Sequence, residues 1–263
     1  MSNCPPPLVA LVYHGSRDRR ASQQFAIFVH SCQQRLPHWH VVGCQLELAA
    51  APLSHQLQQA VQAVSPIRPI SDVVIVPVLM AAGVHVREDI PAAIANTKCL
   101  CPHLSFHVTP PIGQAQQLTD VLASHRTAMP FCQAWVLWGH GSRRTSFATQ
   151  FEQIAQMLST ADQNAAAQPM VTAYAKQEPL LENRVRLLYE TGYEHIGILT
   201  GLLFPGWLSD RLYDTTRQLE AKRPQLHLYI SPVLMPHALW VDAVRELVIG
   251  ILSETSSNEQ QAA

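Results

Sequence analysis

Short runs of apolar residues alternate along this chain with longer segments in which apolar positions recur every three or four residues. The runs are typical of strands buried on both faces, and the longer segments of helices that bury one side. The pattern predicts strands at Leu8–Tyr13, Val41–Leu46, Val73–Val78, Ser105–Val108, Ala134–Trp138, Met170–Tyr174, Ile196–Thr200 and Leu226–Ile230. It predicts helices at about Arg19–Leu36, Leu53–Val64, Arg87–Asn96, Gln114–His125, Ser146–Leu158, Pro179–Tyr189, Leu208–Ala221 and Ala238–Leu252. Strict alternation of this kind predicts an α/β fold with parallel sheets.

The second half of the chain repeats the order of the first. The motif His14–Arg17, between a strand and a helix, recurs as His140–Arg143 in the same setting. A repeat of this size indicates two similar lobes, each a four-stranded parallel sheet flanked by helices, and not a solenoid. We place the boundary at the Met129-Pro130 turn, which gives lobes at residues 1–129 and 130–263. The polar tail, residues 253–263, is predicted to be frayed.

Composition narrows the class of protein. With 48% hydrophobic residues in 263, the chain can bury a large core. Its 18 basic and 19 acidic residues are balanced and not clustered, so neither a nucleic-acid nor a membrane partner is expected. The N-terminus does not read as a signal peptide and no apolar run is long enough to span a membrane, which predicts a cytoplasmic protein. Six scattered cysteines fit reduced thiols better than disulfides.

His14 is the first candidate for chemistry, because it follows the first strand, and ligands of open α/β sheets bind beyond the carboxyl ends of the strands. A tight turn with a helix cap would explain Gly15 and Asp18 but does not explain why a histidine stands at position 14. We therefore favour a functional role for His14. For Ser16 and Arg17, structural and functional roles are equally well supported.

Glu47 and His85 follow the second and third predicted strands. Glu47 is either the first exposed residue after its strand or a ligand, and His85 is either a solvated loop residue or a ligand. Two imidazoles and a carboxylate can hold Fe²⁺, Co²⁺ or Zn²⁺ and leave coordination positions open. Glu88 and Asp89 are interpreted as helix-start residues, where acidic side chains complement the helix dipole.

A combination of motifs gives the chain a resemblance to a known family. The chain resembles the class II chelatases that insert cobalt or iron into sirohydrochlorin, in their long, internally duplicated form. The motifs are His14–Asp18, Leu46–Ala49 with Pro52-Leu53 after it, Pro77–Leu79 and Gly83–Pro91. The resemblance implies a bilobal fold with an interlobe cleft that holds the tetrapyrrole.

The same resemblance implies a site built from His14, Glu47 and His85, which would be both the metal-handling and the catalytic residues. The histidines would bind the ion as neutral imidazoles, and Glu47 would either ligate it or accept a pyrrole proton. The expected partners are a sirohydrochlorin-type tetrapyrrole and the substrate metal, Co²⁺ or Fe²⁺. No nucleotide or other cofactor is expected, and no nucleotide-binding GxxxxGK[ST] loop is present. Duplication makes a monomer sufficient, although a dimer is compatible.

The second half departs from the pattern of the first. Aligning Pro52 with Pro179 places Tyr174 opposite Glu47, and aligning Gly83 with Gly206 places Leu208 opposite His85. This predicts a single metal site, in the first lobe, and a second lobe that holds substrate. The predicted substrate-binding residues are Ser16, Arg17, His140, Ser142, Arg143 and Tyr174. Trp207 would either contact the macrocycle or pack in the core.

Two other functions stay open. The first is a phosphoryl-transfer enzyme with His14 as nucleophile and Arg17 as phosphate clamp. It is disfavoured because such phosphatases carry an arginine directly before the His-Gly pair, where this chain has Tyr13 and Gly139. The second is a non-catalytic carrier of metal or tetrapyrrole, since two lobes around a cleft also describe binding proteins.

Overall fold

The computed structural model describes residues 5–67, 69–114, 116–142, 145–160 and 168–262. The strands of these residues form two four-stranded sheets in which all pairings are parallel, which confirms the predicted α/β architecture. The strands are β1 (Leu8–Tyr13), β2 (His40–Gln45), β3 (Asp72–Val78), β4 (Ser105–Val108), β5 (Ala134–Gly139), β6 (Met170–Tyr174), β7 (His195–Thr200) and β8 (His227–Ile230). The helices are α1 (Arg19–Arg35), α2 (Leu53–Val64), α3 (Ile90–Lys98), α4 (Gln117–Thr127), α5 (Thr145–Thr160), α6 (Leu181–Glu190), α7 (Trp207–Ala221) and α8 (Leu239–Ala262).

The first sheet has the strand order β2-β1-β3-β4. All six residues of β1 are buried, because the strand is central and both of its faces are covered, and this explains its uninterrupted apolar sequence. Tyr13, the last residue of β1, pairs with Gln45 of β2 and Val78 of β3. The carboxyl ends of these three strands therefore lie at one edge of the sheet, where the segments containing His14, Glu47 and His85 emerge.

Helix α1 covers one face of this sheet. The Asp18 carboxylate caps the helix by accepting a hydrogen bond from the Arg20 N–H at 2.9 Å, and it also binds the Arg20 guanidinium. These hydrogen bonds hold the pKa of Asp18 below its usual value. Ala21, Phe25 and Phe28 are buried at helical spacing. Asp18 is thus a helix cap, as the turn motif suggested.

The second sheet repeats this arrangement with the order β6-β5-β7-β8. Its register pairs Gly139 with Tyr174 and Trp138 with Thr200. Leu181 and Val185 of α6 and Leu212 of α7 contribute to the core that packs on this sheet. The second half thus has its own hydrophobic core.

The last helix of each sequence repeat does not pack with the rest of its own repeat. By packing, the chain divides into residues 1–117 with 236–263, the first unit, and residues 118–235, the second unit. The last helix of each repeat lies with the sheet of the other repeat: α8 packs against α1, β3 and β4, while Arg126 of α4 donates to the Leu158 carbonyl of α5. The packing units therefore differ from the predicted lobes, 1–129 and 130–263: α4 belongs to the second unit and α8 to the first.

Two local expectations differ from the structure. The polar tail was expected to fray after Leu252, but α8 continues to Ala262. A helix was expected from about Arg87, but a five-residue π-helical turn, His85–Asp89, comes first and leads directly into α3. No helix in the described part of the chain is long and apolar enough to cross a lipid bilayer.

Candidate metal centre

The backbone fixes His14 and Glu47 side by side. The Leu46 N–H donates to the Tyr13 carbonyl at 3.0 Å, and the Glu47 N–H donates to the His14 carbonyl at 2.9 Å. These bonds continue the pairing of β1 with β2 beyond the ends of both strands. The two side chains are thus placed by backbone hydrogen bonds of the sheet, and not by a free loop.

Gly15 makes this close approach possible. Its φ is +96°, and a Cβ atom at this position would lie 2.1 Å from the Glu47 carbonyl oxygen. Any side chain would force the turn away from Glu47. Leu48, directly after Glu47, also has a positive φ, 59°. A leucine in this conformation costs about 1 kcal/mol, and such strain is concentrated at functional sites.

His85 comes from the segment after β3, where it begins the π-helical turn. The turn closes through the Ile90 N–H, which donates to the His85 carbonyl. On the ring, Nδ1 lies 2.6 Å from Oδ2 of Asp89, and Nε2 lies 3.8 Å from Oε1 of Glu47. One nitrogen of His85 is therefore bonded within its own turn, and the other is directed at Glu47.

His14, Glu47 and His85 form one cluster. Nε2 of His14 lies 3.8 Å from Oε2 of Glu47, and the two imidazole rings meet edge to face with their centroids 4.7 Å apart. The potential ligand atoms of the three residues all lie within 4.8 Å of one another. Two ligands at about 2.1 Å from a shared ion can be at most about 4.2 Å apart, so the Glu47 contacts fit a metal site after small side-chain movements.

The cluster is accessible. The side chains of His14 and Glu47 are 50% and 53% exposed, and that of His85 is 27% exposed. Three protein ligands at an open edge leave coordination positions for water or for another molecule, whereas a structural metal site is closed. The geometry suits an ion that is bound and then released.

The neighbouring Ser16 and Arg17 differ in role. The Ser16 hydroxyl accepts a hydrogen bond from the Asp18 N–H at 3.0 Å, which stabilises the turn into α1. Arg17 is exposed. Ser16 therefore has a structural contact, and Arg17 is available to a ligand. Their predicted substrate contacts stay predictions.

The corresponding turn of the second unit has a similar backbone conformation and retains a histidine, but Glu47 and His85 have no like counterpart beside it. Gly141 has a φ of +83°, and His140 Nδ1 lies 2.7 Å from the Gly141 carbonyl. The Ser142 N–H donates to the Gln177 side chain at 2.9 Å. His140 and Ser142 thus lie at the carboxyl end of β5 as predicted. Arg143 lies outside the described residues.

Strand register corrects the alignment of Tyr174 with Glu47. The Ala175 N–H donates to the Gly139 carbonyl, as Leu46 does to Tyr13, so the position of Glu47 belongs to Lys176. Lys176 is exposed. Aligning the prolines misplaced the equivalence because the segments between strand and proline differ in length by two residues. A carboxylate of the first unit is therefore replaced by a cation in the second.

Tyr174 packs in the interior of the second unit. It is 2% exposed, and its ring centroid lies 6.0 Å from that of Phe151 and 6.3 Å from that of Phe147. Burial raises the pKa of its phenol. The structure gives no support to the prediction that Tyr174 contacts substrate.

The backbone hydrogen bonds at the start of the two helical segments are consistent with the alignment of His85 with Leu208. The Arg87 N–H donates to the Gly83 carbonyl, and the Asp210 N–H donates to Gly206 in the same way. Leu208 packs against the core of the second unit.

Trp207 is 64% exposed, with the guanidinium of Arg211 5.3 Å from its ring centroid. Of the two roles considered for Trp207, core packing is therefore wrong.

Comparison with known proteins agrees with this architecture. A sequence profile of the CbiX family matches the chain twice, over residues 8–127 and 134–250. The chain belongs to the CbiX family. The two matches coincide with the two halves of the duplication, so each half is a copy of the CbiX unit.

Relatives and solved structures extend this likeness. The chain is 25% identical to a sirohydrochlorin ferrochelatase of Priestia megaterium, over 84% of this chain and 82% of the relative. It is 22% identical to a sirohydrochlorin cobaltochelatase of the same organism, over 85% of this chain and 72% of the relative. The structure of SirB from Bacillus subtilis with Fe³⁺ matches with a TM-score of 0.79 at 21% identity, over 96% of this chain and 98% of SirB. These structural likenesses support the CbiX fold.

Sequence reasoning missed two residues: Asp89, beside the cluster of the first unit, and Lys176, at the corresponding position of the second unit. Asp89 was interpreted as a helix-start residue, and its spacing of four residues from His85 was the signal that could have revealed the contact. Lys176 was hidden by the proline alignment, and counting from the end of each strand would have found it.

Proposed function

We propose that this chain inserts a divalent metal ion, Co²⁺ or Fe²⁺, into sirohydrochlorin. The observation that carries the proposal is the cluster of His14, Glu47 and His85, which presents two imidazoles and one carboxylate at an open sheet edge. Membership of the CbiX family and the names of the two Priestia megaterium relatives support this reaction. The proposed reaction releases two protons as the ion replaces them on the pyrrole nitrogens.

Each member of the cluster has a distinct part in this scheme. His14 and His85 bind the incoming ion through Nε2, the nitrogen that each ring directs at Glu47. The Glu47 carboxylate, between the two rings, ligates the ion or accepts a pyrrole proton. Because the site is open, the tetrapyrrole can approach the ion from the free side and displace its water ligands.

In this proposal the second unit binds the sirohydrochlorin substrate. Sirohydrochlorin is a polycarboxylate, and cationic groups suit its rim. Lys176 adds a cation at the position of Glu47, alongside the proposed contacts of His140, Ser142 and Arg143. The reaction as proposed requires no nucleotide or other cofactor, since the metal is a substrate.

The test is anaerobic metal insertion into purified sirohydrochlorin, followed by absorbance, with Co²⁺, Fe²⁺ and Ni²⁺ compared at equal concentration. The proposal expects many equivalents of metallated product per chain with Co²⁺ or Fe²⁺. Product limited to one equivalent would instead show a carrier. Hydrolysis of a generic phosphate ester, without insertion, would show a phosphoryl-transfer enzyme.

A further inference from the structure

Asp89 makes a short polar contact with the cluster. Its Oδ2 lies 2.6 Å from Nδ1 of His85, while Nε2 of the same ring lies 3.8 Å from Oε1 of Glu47. A neutral imidazole carries one proton, so the nitrogen that donates it leaves the other with a free lone pair. A carboxylate facing Nδ1 favours the proton there, and the free lone pair of Nε2 then faces Glu47.

The backbone holds the pair in a specific local structure. His85 and Asp89 are the first and last residues of the π-helical turn, which the Ile90 N–H closes by donating to the His85 carbonyl. π-Helical turns are rare and are frequent at functional sites. Asp89 is 53% exposed, so its carboxylate does not need the imidazole to compensate for burial.

The second unit shows what happens to this pair where the metal ligand is absent. The positions of His85 and Asp89 are taken there by Leu208 and Leu212, in the regular helix α7. Leu212 is 1% exposed, and both leucines pack with the core. The ligand and its carboxylate partner are thus replaced together by apolar residues, as expected if Asp89 serves His85.

We infer that Asp89 is a positioning residue of the metal centre: its carboxylate orients the His85 ring and fixes the proton on Nδ1, so that Nε2 binds the substrate metal. This role rests on the function proposed above. Carboxylates that accept a hydrogen bond from a metal-binding histidine commonly change metal affinity by about 10- to 100-fold. Asp89 itself stays out of contact with the ion.

The first measurement is anaerobic titration of the protein with Co²⁺ alone, followed by absorbance. Asp89→Leu, which introduces the residue of the second unit, should weaken Co²⁺ binding by about 10- to 100-fold. Asp89→Asn should be intermediate, because its amide oxygen still accepts the hydrogen bond but carries no charge. Glu88→Gln is the matched control, since it removes a neighbouring exposed carboxylate of the same turn and should change the dissociation constant by less than about twofold.

The second measurement is the ¹⁵N chemical shifts of the His85 ring in metal-free protein. Wild type should carry the proton on Nδ1, and Asp89→Leu should give a mixture of the two tautomers with an unchanged circular dichroism spectrum. Equal Co²⁺ affinity in Asp89→Leu and wild type, or a wild-type ring protonated on Nε2, would overturn the inference. Both measurements omit sirohydrochlorin, so a wild-type enzyme that binds Co²⁺ as expected but inserts no metal would refute only the proposed function.

Discussion

The two units share a strand-to-helix turn and differ in the side chains that surround it. Both turns contain a histidine and a glycine of positive φ, and both extend the central strand pairing by the same backbone hydrogen bond. Around His14 lie Glu47 and His85; around His140 the same positions hold Lys176 and Leu208. The duplicated turn thus has the same backbone in both units, while the negative charge of Glu47 is replaced by the positive charge of Lys176. The same backbone therefore occurs with and without the cluster, and two side-chain positions make the difference.

The largest effect is expected from giving the first unit the cation of the second. Glu47→Lys removes the carboxylate between the imidazoles and places a positive charge beside the ion. We expect both metal insertion and Co²⁺ binding to be lost, because a like charge at the site opposes the ion directly. The measurements are kcat for metal insertion and the dissociation constant for Co²⁺.

Lys176→Glu is the matched reverse change. Because Leu208 offers no ligand atom, this variant should still bind one Co²⁺ per chain, with the KM for sirohydrochlorin raised a few-fold. A second tight Co²⁺ site in Lys176→Glu would show that charge alone separates the two units.

The two turn histidines provide the next comparison. His14→Ala should abolish insertion while metal-free sirohydrochlorin still binds, because His14 contributes to the metal and not to the area of ring contact. His140→Ala should mainly raise KM, since loss of uniform substrate binding leaves kcat nearly unchanged. Steady-state kinetics and a sirohydrochlorin binding titration separate these outcomes. Equal losses of kcat in both variants would mean that the roles of the units are assigned wrongly.

The two turn glycines test whether the backbone is equally constrained. An added Cβ at Gly15 would lie 2.1 Å from a backbone oxygen, whereas at Gly141 the nearest atom is the Gln177 Cγ, 3.1 Å away on a flexible side chain. We expect Gly15→Ala to lower the free energy of unfolding by about 3 kcal/mol and Gly141→Ala by about 1 kcal/mol. Urea denaturation measures both. Similar values would indicate that Glu47 moves aside freely.

The smallest effect is expected at Tyr174. Its hydroxyl donates a long hydrogen bond, 3.5 Å, to the Ala148 carbonyl, and its ring is buried. Tyr174→Phe should therefore change the KM for sirohydrochlorin by less than about twofold and the free energy of unfolding by about 1 kcal/mol or less. Burial raises the pKa of Tyr174, so its phenol should ionise only above the normal range in a spectrophotometric titration. A large rise in KM would restore the predicted substrate contact.

Much of this comparison could be predicted from the sequence, because it depends on local pattern. Apolar runs located the strands, and strands that run parallel bring their carboxyl ends together, which explains why His14, Glu47 and His85 were expected in one place. The geometry brings these three residues together, and their role in metal binding stays a proposal.

Other features depend on contacts that a pattern does not encode. Lys176 was misplaced because prolines mark loops, whose lengths vary, whereas strand register is fixed by hydrogen bonds. The π-helical turn His85–Asp89 leaves the apolar spacing of α3 unchanged, so periodicity could not reveal it. The extension of α8 to Ala262 crosses a polar segment that gives no helical periodicity. Which sheet a terminal helix covers is decided by tertiary packing.

The placement of α8 has a consequence for the order in which the protein can fold during synthesis. The second unit is one continuous segment, residues 118–235, and its chain is complete before α8 emerges from the ribosome. The first unit includes residues 236–263, and α8 contributes Trp240, Val244 and Val248, all fully buried. The half translated first is therefore the half completed last. A chain truncated after residue 235 should show a protease-resistant second unit beside a first unit that is still cleaved.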